Sequence, residues 1–429
     1  MLTKHAYRVS IFIESSGGVF VDIKFSEPGN YLIFRAIRFP ALMNPYSLSD
    51  ESFAQTELRK ISRQKGKPTR IYKKSNNDGN IKRSGTLVVP FQHLFGSVGY
   101  ALTKKDLNNI HHFSRNMDIA NTGYGKNRNY NNIDGASVKS TINDYLNNTG
   151  KYPRRDVNEI VIDIKSPKDI SFVYYTIDKS RYVNKDGMET NSIDSRKLSA
   201  IFLQKEIEKK SNITVPIYEY TLTQRTLKPF EYSQKELKEL LTDAFLYRSN
   251  NRNLLPIATT FKDTIKSDPY LLKTVKSNLS WQVFKFRFGF YNNYYELDRS
   301  FRTTHINQPI FNINCLIKLS KTLKEYDLDR KSTYVAKETL KTILNSYASK
   351  ESEIFTKRPK CTHQDIHERN FKMLIKECKK LLPPNEFNKY SKSIKYTLKL
   401  IREFSMQKKI FENNIIKNKA VNNKMEPYM

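Results

Sequence analysis

Asp163 and Lys165 stand two residues apart at the end of the apolar run Ile160-Val161-Ile162, so on an extended backbone both side chains leave the same face. A carboxylate that binds a divalent cation, beside an ammonium that steers a water molecule, can hydrolyse a phosphodiester. That chemistry needs a second carboxylate from a neighbouring strand. Asp156 is only seven residues upstream, too close to come from another strand, while Asp134 and Asp144 stand outside any clear element. The same Asp-x-Lys ending recurs at Asp22 and Lys24, which favours a structural role for both pairs.

A metal site would start from Cys361-x-His363-x-x-x-His367, with Cys378 beyond. If 367–382 is helical, Cys378 lies 11 residues past His367, roughly 16 Å along the axis at about 1.5 Å per residue and too far to share a tetrahedral ion. Cys378 instead falls among Phe371, Leu374 and Leu381, the setting of a buried structural thiol. No complete catalytic or metal signature is present, so no catalytic residue, metal ligand or cofactor is expected.

Phosphate binding is the better supported chemistry. The chain has 74 Lys and Arg against 43 Asp and Glu, a formal charge of +31 over 429 residues. An excess of that size repels itself in a compact chain, and a polyanion relieves it while releasing counterions. The densest run holds Arg59, Lys60, Arg63, Lys65, Lys67, Arg70, Lys73, Lys74, Lys82 and Arg83 against one acid, Asp78, and is expected to be a mobile basic loop. A second Asn- and Gly-rich loop is expected at 121–134.

Aromatic and basic residues interleave from Trp281 to Tyr295. Read as a strand, this stretch puts Phe284, Phe286, Phe288 and Phe290 on one face and Lys285 and Arg287 on the other. An exposed aromatic face stacks bases, whereas a buried one is ordinary core and leaves Lys285 and Arg287 on the polar side. The fragment Arg287-Phe-Gly-Phe290 matches part of an RNA-recognition signature without the rest.

Near the C-terminus, Phe387, Tyr390, Ile394, Leu398 and Ile401 recur at helical spacing and predict a core-facing stripe. Lys389, Lys392, Lys395, Lys399 and Arg402 form a separate row, roughly 140° away at about 100° per residue. Such a row is either a solvated face or a phosphate contact. The candidate nucleic-acid-binding residues are therefore Arg59 to Lys74 of the basic run, Lys285, Arg287, Lys392, Lys395, Lys399 and Arg402.

These residues need elements to position them. Turn residues between β-branched and aromatic runs predict a meander over Tyr7–Glu14, Gly18–Phe25 and Tyr31–Phe39. A hairpin is expected over 159–165 and 170–177, then a helix near 196–210, a strand at 213–222, and a helix opened by the capping box Ser233-x-x-Glu236. From about Ile313 the pattern is helical, with roughly four helices. The expected class is α+β, a β-rich N-terminal and mixed middle region followed by a helical C-terminal domain. The expected parts are 1–150, 151–310, 311–421 and a frayed tail at 422–429. The match between Phe20-Val21-Asp22-Ile23-Lys24 and Val161-Ile162-Asp163-Ile164-Lys165, each followed by Ser, Pro and an aromatic strand, raises the idea of two copies of one hairpin.

Three cysteines without a pairing pattern, a first 25 residues broken by Arg8, Glu14 and Asp22, and no apolar run of membrane length predict a soluble, cytoplasmic chain. Heavy use of Lys, Asn, Ile and Tyr is the bias of an AT-rich gene.

The length, the basic Lys/Asn/Tyr-rich composition and the opening Met-Leu-Thr-Lys-His-Ala-Tyr-Arg-Val-Ser together resemble the immunity proteins of yeast cytoplasmic linear killer plasmids. The resemblance implies a cytosolic protein that protects a killer cell from its own toxin, whose intracellular subunit is a ribonuclease that cuts tRNA anticodon loops. Protection by binding tRNA, by binding the toxin nuclease subunit or by acting on cleaved RNA all fit. The expected partner is nucleic acid, with tRNA or other RNA favoured over DNA, and the toxin subunit is a second candidate. A replication or maintenance protein of an AT-rich linear plasmid or virus-like element shares the basic surface, and a metal-dependent nuclease is the third reading.

Overall fold

The computed structural model describes residues 9–13, 19–23, 31–37, 40–41, 51–62, 82–87, 97–104, 110–114, 159–164, 166–177, 192–221, 226–246, 254–287, 308–346 and 364–403. Helix and strand are mixed, and the chain divides into two compact units. One holds Met1–Asn44 and Glu51–Val275, the other Pro45–Asp50 and Lys276–Met429.

In the first unit, β1 (Val9–Ile13), β2 (Val19–Ile23), β3 (Tyr31–Ala36), β4 (Lys82–Leu87), β5 (Val98–Lys104), β6 (Ile110–Ser114), β7 (Glu159–Asp163), β8 (Phe172–Thr176), β9 (Ile217–Thr221) and β10 (Thr226–Phe230) form one sheet. Its order is β1-β2-β10-β9-β8-β5-β3-β4-β7-β6. β8 and β9 run parallel, and the 19-residue helix α2 (Ile193–Ser211) lies between them in the chain, as a parallel connection requires.

The sequence-based boundary near 150 is not a boundary in this sheet. β2 pairs with β10 and β5 with β8, so strands from both sides of that point share ladder hydrogen bonds. The division into units falls at 275/276, not near 310. The expected hairpin over 159–177 is also corrected. β7 pairs with β4 and β6, while β8 pairs with β5 and β9. Between them Ser166 caps a short 3-10 turn over Pro167–Asp169, with Asp169 accepting from the Ser166 N–H at 3.1 Å, and the chain leaves for another part of the sheet. The meander likewise stops after β1 and β2, because β3 pairs with β4 and β5. The two similar segments are thus not hairpins.

One side of the sheet gathers Phe34, Ala101, Phe172, Tyr174, Tyr220 and Leu227 into a buried cluster. α2 is buried through most of its middle turns, polar residues included, and three of those polar side chains have partners. Arg196 donates to the Thr176 carbonyl at 2.6 Å, Gln204 to the Val215 carbonyl at 2.6 Å, and Glu206 accepts from Thr260 at 2.8 Å. Ser192 caps the helix start, and Asn212 ends it in the left-handed region at φ 57°. Helix α1 (Phe53–Ser62) carries Glu57, which pairs with Arg35 at 3.6 Å and accepts from the Tyr100 hydroxyl at 3.3 Å, tying α1 to the sheet. The expected helix at 233–247 is α3 (Gln234–Leu246), with Ser233 accepting from the Glu236 N–H at 3.1 Å. Two short helices follow, α4 (Leu255–Thr260) and α5 (Lys262–Lys266).

The stretch at 281–287, read as a strand, is the end of α6 (Pro269–Arg287). Asp268 accepts from the N–H groups of Tyr270 and Leu271 at 3.1 and 3.0 Å, and Pro269 takes the first helical position. Leu271, Val275, Leu279 and Val283 then recur every fourth residue and are buried, a stripe that overrides the local alternation of Phe.

All described residues of the second unit are helical or in the turns between helices. α7 (Gln308–Glu325) and α8 (Asp329–Ser346) form a hairpin closed at Asp327, which sits at φ 59° while the Leu328 N–H reaches back to the Leu323 carbonyl at 2.9 Å. Ser320 and Ser332 clasp the pair, each hydroxyl donating to the other's carbonyl at 2.9 and 2.8 Å. α9 (Gln364–Leu381), the short α10 (Pro384–Asn388) and α11 (391–403) complete the unit. Ile317, Leu340, Phe371, Leu374, Cys378, Phe387 and Ile401 are part of one core.

Candidate nucleic-acid interface

α11 bears out its sequence reading at both faces. Tyr390, Ile394 and Leu398 pack against the core that contains Phe387 and Ile401. Lys392, Lys395, Lys399 and Arg402 are exposed on the opposite side. The separation follows from the helical period: the apolar positions on one stripe pack on the shared core of the unit, and the lysines between them are turned to water.

Electrostatics divides the cations of this unit into two kinds. Glu368 holds Lys372 at 2.7 Å and Arg402 at 2.9 Å, Glu377 holds Lys321 at 2.7 Å and Lys380 at 2.8 Å, and Glu386 holds Lys337 at 3.1 Å together with Lys389. The Arg402 guanidinium, then Lys372, holds the Glu368 carboxyl down to about 2. Lys399 reaches Glu403 at 3.9 Å. Lys392 and Lys395 have no ion pair among the described residues. Each paired carboxylate already serves its cations, so the middle of the row keeps uncompensated charge able to meet phosphate.

The other candidates are placed less completely. Arg59 and Lys60 lie on α1, not in a loop, and Arg59 pairs with Glu51. Lys82 and Arg83 lie on β4. Arg63, Lys65, Lys67, Arg70, Lys73 and Lys74 fall outside the described residues, as does the segment 121–134. Lys285 and Arg287 are on α6, where Trp281 and Phe284 stack at 4.9 Å with an interplanar angle of 9°. The alternating faces proposed for a strand therefore do not form over 281–287. Asp163 ends β7, and Lys165, Cys361 and His363 are outside the described residues.

Sequence reasoning missed Tyr396, which stands on α11 beside the lysine row and is 62% exposed. Its signal was present: an aromatic off the apolar stripe, with lysines four before, one before and three after it. Cys378 was placed correctly, since burial pushes its thiol up to about 12. Among the described residues no group of three His, Cys, Asp or Glu is arranged to hold a metal ion, and no helix is long and apolar enough to cross a membrane. The chain matches no protein-family model, no curated protein and no solved structure.

Proposed function

We propose that this protein binds nucleic acid, with RNA favoured, and serves in the cytoplasm as an immunity protein against a killer-plasmid toxin that cuts tRNA anticodon loops. The observation that carries the binding half is the charge excess of +31 together with the exposed row on α11, whose Lys392 and Lys395 have no carboxylate partner among the described residues. The immunity half rests on the resemblance of length, composition and opening residues. In this reading a β-rich N-terminal and mixed middle region is followed by a helical C-terminal domain that carries the phosphate-binding row. Protection then comes from occupying the RNA or from holding the toxin's nuclease subunit.

The test is to express the protein in toxin-sensitive cells that make the nuclease subunit internally. Survival supports immunity acting inside the cell. The variant with Lys392, Lys395, Lys399 and Arg402 all replaced by Gln keeps helix propensity and the apolar stripe, so it should fold and protect less. Full protection by that variant removes the row as the site. Failure of the intact protein to protect, with RNA or DNA binding retained, transfers the reading to a replication or maintenance protein of an AT-rich element.

A further inference from the structure

Taking Lys392 as the reference and about 100° per residue, Arg402, Lys395, Lys399, Lys392 and Tyr396 span an arc of about 120° on α11. Arg402, at one edge of the arc, is committed to Glu368 of α9. Tyr396 is at the other edge, away from that pair. Its ring makes no hydrogen bond or ring contact among the described residues. Lys392 and Lys399 flank it one turn below and above, at the roughly 5–6 Å typical of Cβ atoms three or four residues apart.

Tyr270, equally exposed at 63%, provides a contrast. It sits at the start of α6 two residues after Asp268, whose carboxylate accepts from its N–H at 3.1 Å. Tyr396 instead has cations on three sides. A large aromatic 62% exposed, with the Lys392 and Lys395 ammonium groups beside it unpaired among the described residues and Lys399 held by Glu403 at 3.9 Å, has the makings of a stacking platform. The ring offers a π-face, and the flanking lysines suit the phosphates on either side of the stacked unit.

We infer that Tyr396 stacks on an unpaired base of single-stranded RNA, with Lys392, Lys395 and Lys399 holding the adjacent phosphates. The inference rests on the nucleic-acid-binding reading above and adds the form of the ligand. In a duplex each base face is covered by its neighbours, so the ring gains nothing there, while the lysines still meet the backbone. Stacking therefore makes the site selective for single strands.

The experiment titrates the full chain with a labelled RNA of about 15 nucleotides containing only A and C, with the same RNA annealed to its complement, with the matching DNA strand, and with inorganic polyphosphate. Tyr396→Ala should weaken single-strand binding roughly 5- to 150-fold, since stacking on one base is worth about 1–3 kcal/mol and about 1.4 kcal/mol is tenfold. Duplex and polyphosphate binding should stay unchanged, and Tyr396→Phe should keep full affinity. Lys392→Gln with Lys395→Gln should instead weaken all of the polyanions and flatten the salt dependence, by about 0.7 in log-log slope per lost single-strand contact. Equal loss on duplex and single strand, or no loss, in the folded Tyr396→Ala variant overturns the stacking site while leaving the binding reading intact. Absence of binding to every probe at low salt overturns both. A preference for the DNA strand replaces RNA as the ligand.

Discussion

The ring of Phe34 lies 5.4 Å from that of Tyr220, although β5 and β8 separate their strands in the sheet. Three strand spacings amount to about 14 Å across a flat sheet, so the two rings lean toward each other over the strands between them. Phe34 also meets Phe172 at 5.8 Å and Tyr174 at 4.9 Å, with the small residues Gly99 and Ala101 of β5 lying between their strands. Short side chains on the middle strand let the rings of its neighbours lean over it.

Gly99 is therefore the sensitive position. A Cβ there would lie 2.1 Å from the Arg35 carbonyl oxygen and 2.9 Å from the Ala36 Cα, both backbone atoms that cannot swing aside. Gly99→Ala should destabilise the first unit by about 1–3 kcal/mol or more, as overpacking does. Urea unfolding followed by circular dichroism measures it, and an unchanged midpoint refutes the close approach.

Leu279 and Phe284 distinguish helix from strand over the end of α6. Leu279 is 1% exposed and Phe284 43%. Leu279→Ala should cost about 2–5 kcal/mol as a buried truncation, and Phe284→Ala well under that despite losing the larger side chain. A reversed order would restore the strand reading.

Glu368 supplies a pH signature. Arg402 and Lys372 lower its carboxyl from an ordinary 4.5 to about 2, so the ionised form is favoured by folding. That stabilisation is present above about pH 4.5 and is lost as pH falls toward about 2. For so exposed a pair it stays below about 1 kcal/mol. Carboxyl-carbon NMR should show Glu368 titrating below the ordinary carboxylate range, and Arg402→Gln should move it back up; an unmoved titration would mean that the pair does not form in solution.

Cys378 and Cys315 are both buried, and burial raises the Cys378 thiol to about 12. Neither should react with an aromatic disulfide reagent at neutral pH until the second unit unfolds, because attack requires an exposed thiolate. Rapid labelling of Cys378 in the native protein would contradict the core assigned to α9, and rapid labelling of Cys315 would contradict the burial of that face of α7.

The amino-acid sequence by itself determined whatever depends on neighbours a few residues apart. The stripe from Phe387 to Ile401, the lysine row beside it, the Ser233 cap and the burial of Cys378 among Phe371, Leu374 and Leu381 all follow from a helical period that any reader of the chain can count. The misreading at 281 came from starting the count too late: the Asp268-Pro269 start and the stripe from Leu271 to Val283 lie upstream, and they outweigh four alternating Phe. Only the tertiary structure decided which strands meet. That β7 joins β4 and β6 while β8 joins β5 and β9 depends on contacts between distant segments, whose gain must exceed the entropy of closing the chain between them, and no local pattern encodes that balance. The same holds for Tyr396, because its exposure follows from α11 packing its other face on the core of the second unit, and an isolated helix would leave every ring in water.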